Sequence, residues 1–132
     1  MSVVVGYVST PEGDAALDVA VSEARARGLR LVVILSERGH RLGTEAAELQ
    51  AEGDEVRRRL DGTGLRYDVR LTSRGHDVAE DIIGAASREE AVLIVIGLRR
   101  RSPVGKLLLG SNAQRILLDA PCPVLAVKPA PT

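Results

Sequence analysis

A chain of 132 residues, 45% of them hydrophobic, is long enough to bury one core without disulfides and needs no second domain. Its 18 basic and 18 acidic side chains cancel, which excludes a general electrostatic attraction to nucleic acid or an anionic membrane. A single cysteine excludes an internal disulfide, and with Phe and Trp absent the core must be built from Val, Leu, Ile and Ala.

The apolar run Val3–Val5 predicts a buried strand from Ser2 to Val8, followed by a polar loop from Ser9 to Gly13. Asp14 is the expected cap of a helix whose inner face carries Leu17, Ala20, Val21 and Ala24 and which ends at Gly28. Leu29–Leu35 reads as a second strand, apolar on both faces, and Ser36–Gly43 as a polar connection. Thr44–Leu60 is the longest helical pattern, with Ala46, Leu49, Val56 and Leu60 along one stripe and Gly53 on the same side. After a turn at Asp61–Gly64, Leu65, Tyr67, Val69 and Leu71 alternate with Arg66, Asp68 and Arg70, which predicts an edge strand with one exposed face. Asp77 and Glu80 have the spacing of a capping box ahead of a helix face of Val78, Ile82 and Ala85.

The run Ala91–Ile96 is a fourth strand, stopped by Gly97. A loop rich in arginine follows, then Gly110 and Ser111, with Ser111 as expected cap of a helix carrying Ala113, Ile116, Leu117 and Ala120 on one side. Cys122–Val127 completes five strands and four helices. Strands alternating with helices argue an α/β domain with an open parallel sheet covered on both faces. Cys122, between Pro121 and Pro123, is expected to be buried rather than reactive.

A glycine at the strand exit and another at the helix entrance outline an anion site, since backbone N–H groups at a helix start point at whatever lies above them. In the functional reading Gly110, Ser111 and Asn112 hold phosphate oxygens through their N–H groups, and the Ser111 hydroxyl donates a further bond or reaches a bound magnesium ion. Arg99, Arg100 and Arg101 form the densest positive run and have the donor geometry to clamp phosphate; the alternative is an ordinary solvated loop. His40 and His76 lie in separate polar loops without partners at ligand spacing, so no zinc site is expected. Glu12, Asp14 and Asp18, near this site at the start of the first helix, read as partners of the helix dipole rather than general bases, and no nucleophile, base and orienting group come together to specify a reaction.

The same residues resemble the nucleotide signature of the universal stress protein family, which reads Gly, two residues, Gly, nine residues, Gly, then Ser or Thr. Gly97, Gly110 and Ser111 fall at the first, third and last positions, and Arg100 replaces the second glycine. The flanking RSPVGKLLLGSNAQRIL and APCPVLAVK are similar too, and the order of elements extends the likeness over essentially the whole chain. The resemblance implies the adenine nucleotide alpha hydrolase-like fold with strand order 3-2-1-4-5, and a crevice where the loops 7–13 and 97–110 meet. It implies binding of ATP or a related adenine nucleotide, with magnesium as a possible companion, and a regulatory rather than strongly catalytic role through an unknown protein partner. A slow ATP hydrolase and a module that has lost nucleotide affinity are the alternatives.

Two departures bear on that choice. Where the family commonly reads Val-Asp-Gly-Ser, this chain reads Tyr7-Val8-Ser9-Thr10, so Val8 removes a carboxylate suited to a ribose hydroxyl while Ser9 and Thr10 keep hydroxyls. Arg100 either adds charge from outside or fills space the nucleotide needs. Adenine is expected on aliphatic walls near Ile34 and Leu35, with Tyr7 as the one nearby aromatic, and the resemblance assigns reading of the base edge to main-chain groups at the end of strand two. The resemblance also implies a homodimer through Cys122–Val127, an apolar edge that invites pairing. With neither a signal-peptide pattern nor an apolar stretch of bilayer length, the expected location is the cytoplasm.

Overall fold

The apolar runs become the strands of one parallel sheet. The computed structural model describes residues 1–35, 45–72, 77–99 and 109–129. Within them β1 (Ser2–Tyr7), β2 (Arg30–Leu35), β3 (Tyr67–Leu71), β4 (Ala91–Gly97) and β5 (Val124–Val127) are joined in the order β3-β2-β1-β4-β5. Four helices alternate with them: α1 (Pro11–Arg27), α2 (Glu45–Asp61), α3 (Val78–Arg88) and α4 (Ser111–Asp119). No helix among the described residues is long and apolar enough to cross a membrane. The connection 36–43, with His40, and the segment holding His76 lie outside the described residues.

Because successive strand residues point to opposite faces, each central strand feeds two cores. Val3, Val5, Leu31, Val33, Leu35, Leu93 and Val95 pack with Leu17, Ala20 and Ala24 of α1 and Leu49, Val56 and Leu60 of α2. On the other face Val4, Val32, Ile34, Ile94 and Ile96 pack with Ile82, Ala85 and Ala86 of α3 and Ile116 of α4. Both faces of β1, β2 and β4 are therefore covered, which accounts for their uninterrupted apolar runs.

Several expected boundaries shift, each for a local reason. The cap of α1 is Thr10, not Asp14: Thr10 is extended (φ −147°, ψ 164°) and its hydroxyl accepts the Gly13 N–H at 3.1 Å. Pro11 then takes the first helical position, where its missing N–H has no intrahelical partner to lose, so the loop before α1 is shorter than predicted. On α4, Gly110 is the cap and Ser111 is already helical, while Leu117 is exposed rather than on the inner face. The last strand begins at Val124, leaving Cys122 half-buried in the bend before it, where burial pushes its thiol pKa up. Asp77 caps α3 by accepting the N–H groups of Ala79 and Glu80 at 2.9 and 3.3 Å, but the Glu80 carboxylate turns away to Arg115, so the reciprocal half of a capping box is not formed.

The polar face of β3 is half-buried rather than exposed. Arg30 from β2 and Arg70 from β3 both donate to Glu89, whose side chain is 15% exposed, and Arg70 also donates to Asp68 at 2.8 Å. Glu89→Ala would deprive Arg30 of this carboxylate and leave Arg70 with Asp68 alone, and should cost roughly 2 kcal/mol of unfolding free energy. Urea denaturation measures this; Glu89→Gln, which keeps the hydrogen-bonding shape, should cost less.

Candidate functional site

β1 and β4 lie side by side at the centre of the sheet, and the chain winds away from them in opposite directions. Beyond their carboxyl ends the start of α1 meets the exit of β4 in close contact. A Cβ built on Gly97 would stand 2.4 Å from the Glu12 carbonyl oxygen, and one on Gly13 only 1.8 Å from that of Val8. Glycine at these two positions lets the first turn of α1 lie directly on the end of β4 and on the residue that follows β1.

Two adjoining cavities open there. The first, about 140 Å³, is mainly apolar, walled by Val8, Val78, Ile82, Ile96 and Ile116 with Glu12 at its side. The second, about 180 Å³, is lined by Gly97, Leu98, Arg99, Gly110, Ser111, Asn112 and Ala113. They share Gly97, Asn112 and Ala113.

The second cavity has the makings of an anion site. Gly110 supplies no side-chain cap to α4, and the first intrahelical bond there runs from the Gln114 N–H to the Gly110 carbonyl at 3.0 Å. The N–H groups of Ser111, Asn112 and Ala113 precede that bond, and no acidic residue occupies the first turn to satisfy them. Arg99, which is exposed, brings a guanidinium to the same cavity, its Nε 3.9 Å from Glu12 Oε1. Farther along α4, Arg115 donates to Asp77 and Glu80 at 2.6 and 2.7 Å and ties this helix to the start of α3 across the cavity wall.

The structure brings Tyr7, Val8, Gly97, Arg99, Gly110, Ser111 and Asn112 to these two cavities. Thr10 is close in sequence but its hydroxyl is engaged as the helix cap, and Ser9 is exposed beside it. Arg100 and Arg101 lie outside the described residues. Ile34 and Leu35 line neither cavity, for their side chains are buried in the two cores. The Leu35 carbonyl accepts the Thr72 N–H at 2.9 Å. Tyr7 is 6% exposed, and its hydroxyl donates to Asp14 Oδ1 at 2.8 Å, which also accepts from Arg59 of α2 at 3.0 Å. The ring therefore braces α1 and α2 instead of presenting a stacking surface.

Burial first, and then the bond to Asp14, pushes the Tyr7 pKa from 10.0 up to about 12. Because the folded pKa lies above the unfolded one, the stabilisation from neutral Tyr7 is complete below pH 10 and is lost as pH rises through 12. Spectrophotometric titration should show its phenolate forming well above the ordinary range, and Tyr7→Phe should remove that part of the alkaline loss of stability.

Sequence reasoning missed the aliphatic walls from α3 and α4 and the inward position of Glu12. Val78, Ile82 and Ile116 were legible as inward helix faces, but their place at the ligand crevice depends on how α3 and α4 cross the sheet.

A family model described as the universal stress protein family matches residues 1–128. The chain belongs to that family. A universal stress protein of Mycolicibacterium smegmatis is 42% identical over 127 residues, covering 96% of this chain and 97% of that one. Among solved structures, a universal stress protein from Archaeoglobus fulgidus superposes with a TM-score of 0.82 at 32% identity, over 97% of this chain and 98% of that one. The structure of the universal stress protein from A. fulgidus in complex with dAMP gives 0.78 at 27% identity, with the same coverage. The fold is thus the adenine nucleotide alpha hydrolase-like fold of universal stress proteins.

Proposed function

We propose that this universal stress protein binds an adenine nucleotide, with its phosphate over the start of α4 and its nucleoside in the apolar cavity beside β1 and β4. The observation that carries the reading is the amino end of α4, lacking a side-chain cap and facing a cavity that Arg99 also lines. Phosphate there accepts the N–H groups of Ser111 and Asn112, meets the positive end of the helix dipole and is within the neighbourhood of a guanidinium. The Ser111 hydroxyl, exposed in the first turn, adds a donor or, with ATP, a ligand for phosphate-bound magnesium. Val78, Ile82, Ile96 and Ile116 offer the base an aliphatic slot. The dAMP held by the A. fulgidus relative supports the choice of ligand class.

Calorimetric titration of the purified chain with AMP, and with ATP with and without magnesium, tests this directly. Saturable heat and a raised unfolding temperature are expected; neither signal at millimolar nucleotide would leave a module acting through protein contacts alone. The output we assign is regulatory, occupancy of the crevice altering the surface shown to a protein partner. The same reading pairs two copies along β5, which is bonded to β4 alone among the described strands and leaves Leu125 exposed. Sedimentation should then show a dimer, and Leu125→Lys should shift it toward monomer.

A further inference from the structure

We infer that Glu12 is the sugar-reading group of this site and makes it select ribonucleotides over their deoxy counterparts. The inference rests on the nucleotide reading above and adds to it a specificity residue.

Among the described residues lining the apolar cavity, Glu12 alone carries a charge. Its side chain is 14% exposed, an unusual degree of burial for a carboxylate in the first turn of a helix. Its carbonyl oxygen rests against Gly97, a residue common to both cavities. The carboxylate extends from there to within 3.9 Å of Arg99, which lines the second cavity. Glu12 therefore stands at the seam between the apolar cavity and the amide-lined one. In a nucleotide the sugar joins the base to the phosphate, so the seam is the place of the ribose.

A carboxylate only accepts hydrogen bonds, and the neutral donors that a nucleotide presents at that point are its 2′ and 3′ hydroxyls. The Tyr7 hydroxyl cannot compete for this role, being committed to Asp14. Val8 offers no polar side chain, so the cavity's carboxylate comes from the first turn of α1 instead of from the end of β1. Arg99 beside Glu12 offsets the repulsion that a carboxylate would otherwise exert on a phosphate in the next cavity.

The test compares AMP, 2′-deoxy-AMP and 3′-deoxy-AMP by calorimetry on the full chain and on Glu12→Ala and Glu12→Gln. The unaltered chain should bind AMP roughly tenfold more tightly than at least one deoxy analogue, as for the loss of one charge-assisted hydrogen bond. Glu12→Ala should erase that preference by weakening AMP while leaving the discriminated analogue nearly unchanged. Glu12→Gln, which keeps an acceptor and the side-chain length, should retain part of it and covers the case in which the alanine variant folds poorly. If Glu12 served only the helix dipole and the Arg99 pair, Glu12→Ala would shift all three ligands in parallel, in either direction, and that result overturns the proposal, as does equal affinity of the unaltered chain for all three. Failure of the unaltered chain to bind any of them overturns the nucleotide reading as well, so the two outcomes are distinct.

Discussion

Gly110→Asp is expected to lower nucleotide affinity by roughly 100-fold or more while leaving the fold at least as stable as before. Glycine is not needed here for its conformation, since φ −69° and ψ 167° are open to any residue. Nor is it needed for packing, because a Cβ at Gly110 meets no heavy atom within 4 Å among the described residues. What the glycine does is leave the start of α4 without a side-chain cap. Aspartate would accept N–H groups of the first turn and place a negative charge at the positive end of the helix, a gain of a few tenths of a kcal/mol over glycine. The same carboxylate would occupy the position of the phosphate and repel it. Gly110→Ala, which adds neither acceptor nor charge, should weaken binding far less. Calorimetry with AMP and thermal denaturation read the two effects separately. Affinity that survives Gly110→Asp would show that phosphate does not sit over α4.

How much of this was legible beforehand follows from the kind of signal each feature leaves. Val3–Val5, Leu31–Leu35 and Leu93–Ile96 are continuous apolar runs because their strands are covered on both faces, so the central strands could be read from local sequence alone. The strand order could not. It came through the resemblance carried by Gly97, Gly110 and Ser111, and with it came the location of the crevice. The start of α1 was readable but misread: Thr10 before Pro11 is a cap followed by a first-turn proline, while Asp14 drew attention as the next capping residue. Asp14 in fact accepts from Tyr7 and Arg59, a partnership across α1 and α2 that sequence spacing does not reveal. The expected adenine walls at Ile34 and Leu35 followed strand two in sequence, whereas the open aliphatic surface comes from elements crossing above the sheet. Glu12, near the expected crevice, reads from sequence as a partner of the helix dipole, and its inward position depends on the packing of Gly97 against its backbone.

That packing makes the first turn of α1 the place where a single methyl group should do most harm. Gly13→Ala would put a Cβ 1.8 Å from the Val8 carbonyl oxygen, which already accepts the Thr10 N–H at 2.9 Å. Both sides of this contact are backbone, so no rotamer relieves it; the helix start must move off the loop. Moving it also disturbs the seat of Glu12 on Gly97, and with it the wall between the two cavities. A loss of at least about 3 kcal/mol is expected, against the gain of up to about 1 kcal/mol that alanine ordinarily brings to a helix interior. Gly84→Ala in α3 is the matched control. A Cβ there would lie 3.1 Å from the Arg88 Nη1, the end of a flexible side chain that can swing aside. The same chemical change should therefore be neutral or stabilising at Gly84 and severely destabilising at Gly13. Urea denaturation of the two variants decides it, and equal effects would mean that the contact between Val8 and α1 is looser than the geometry requires.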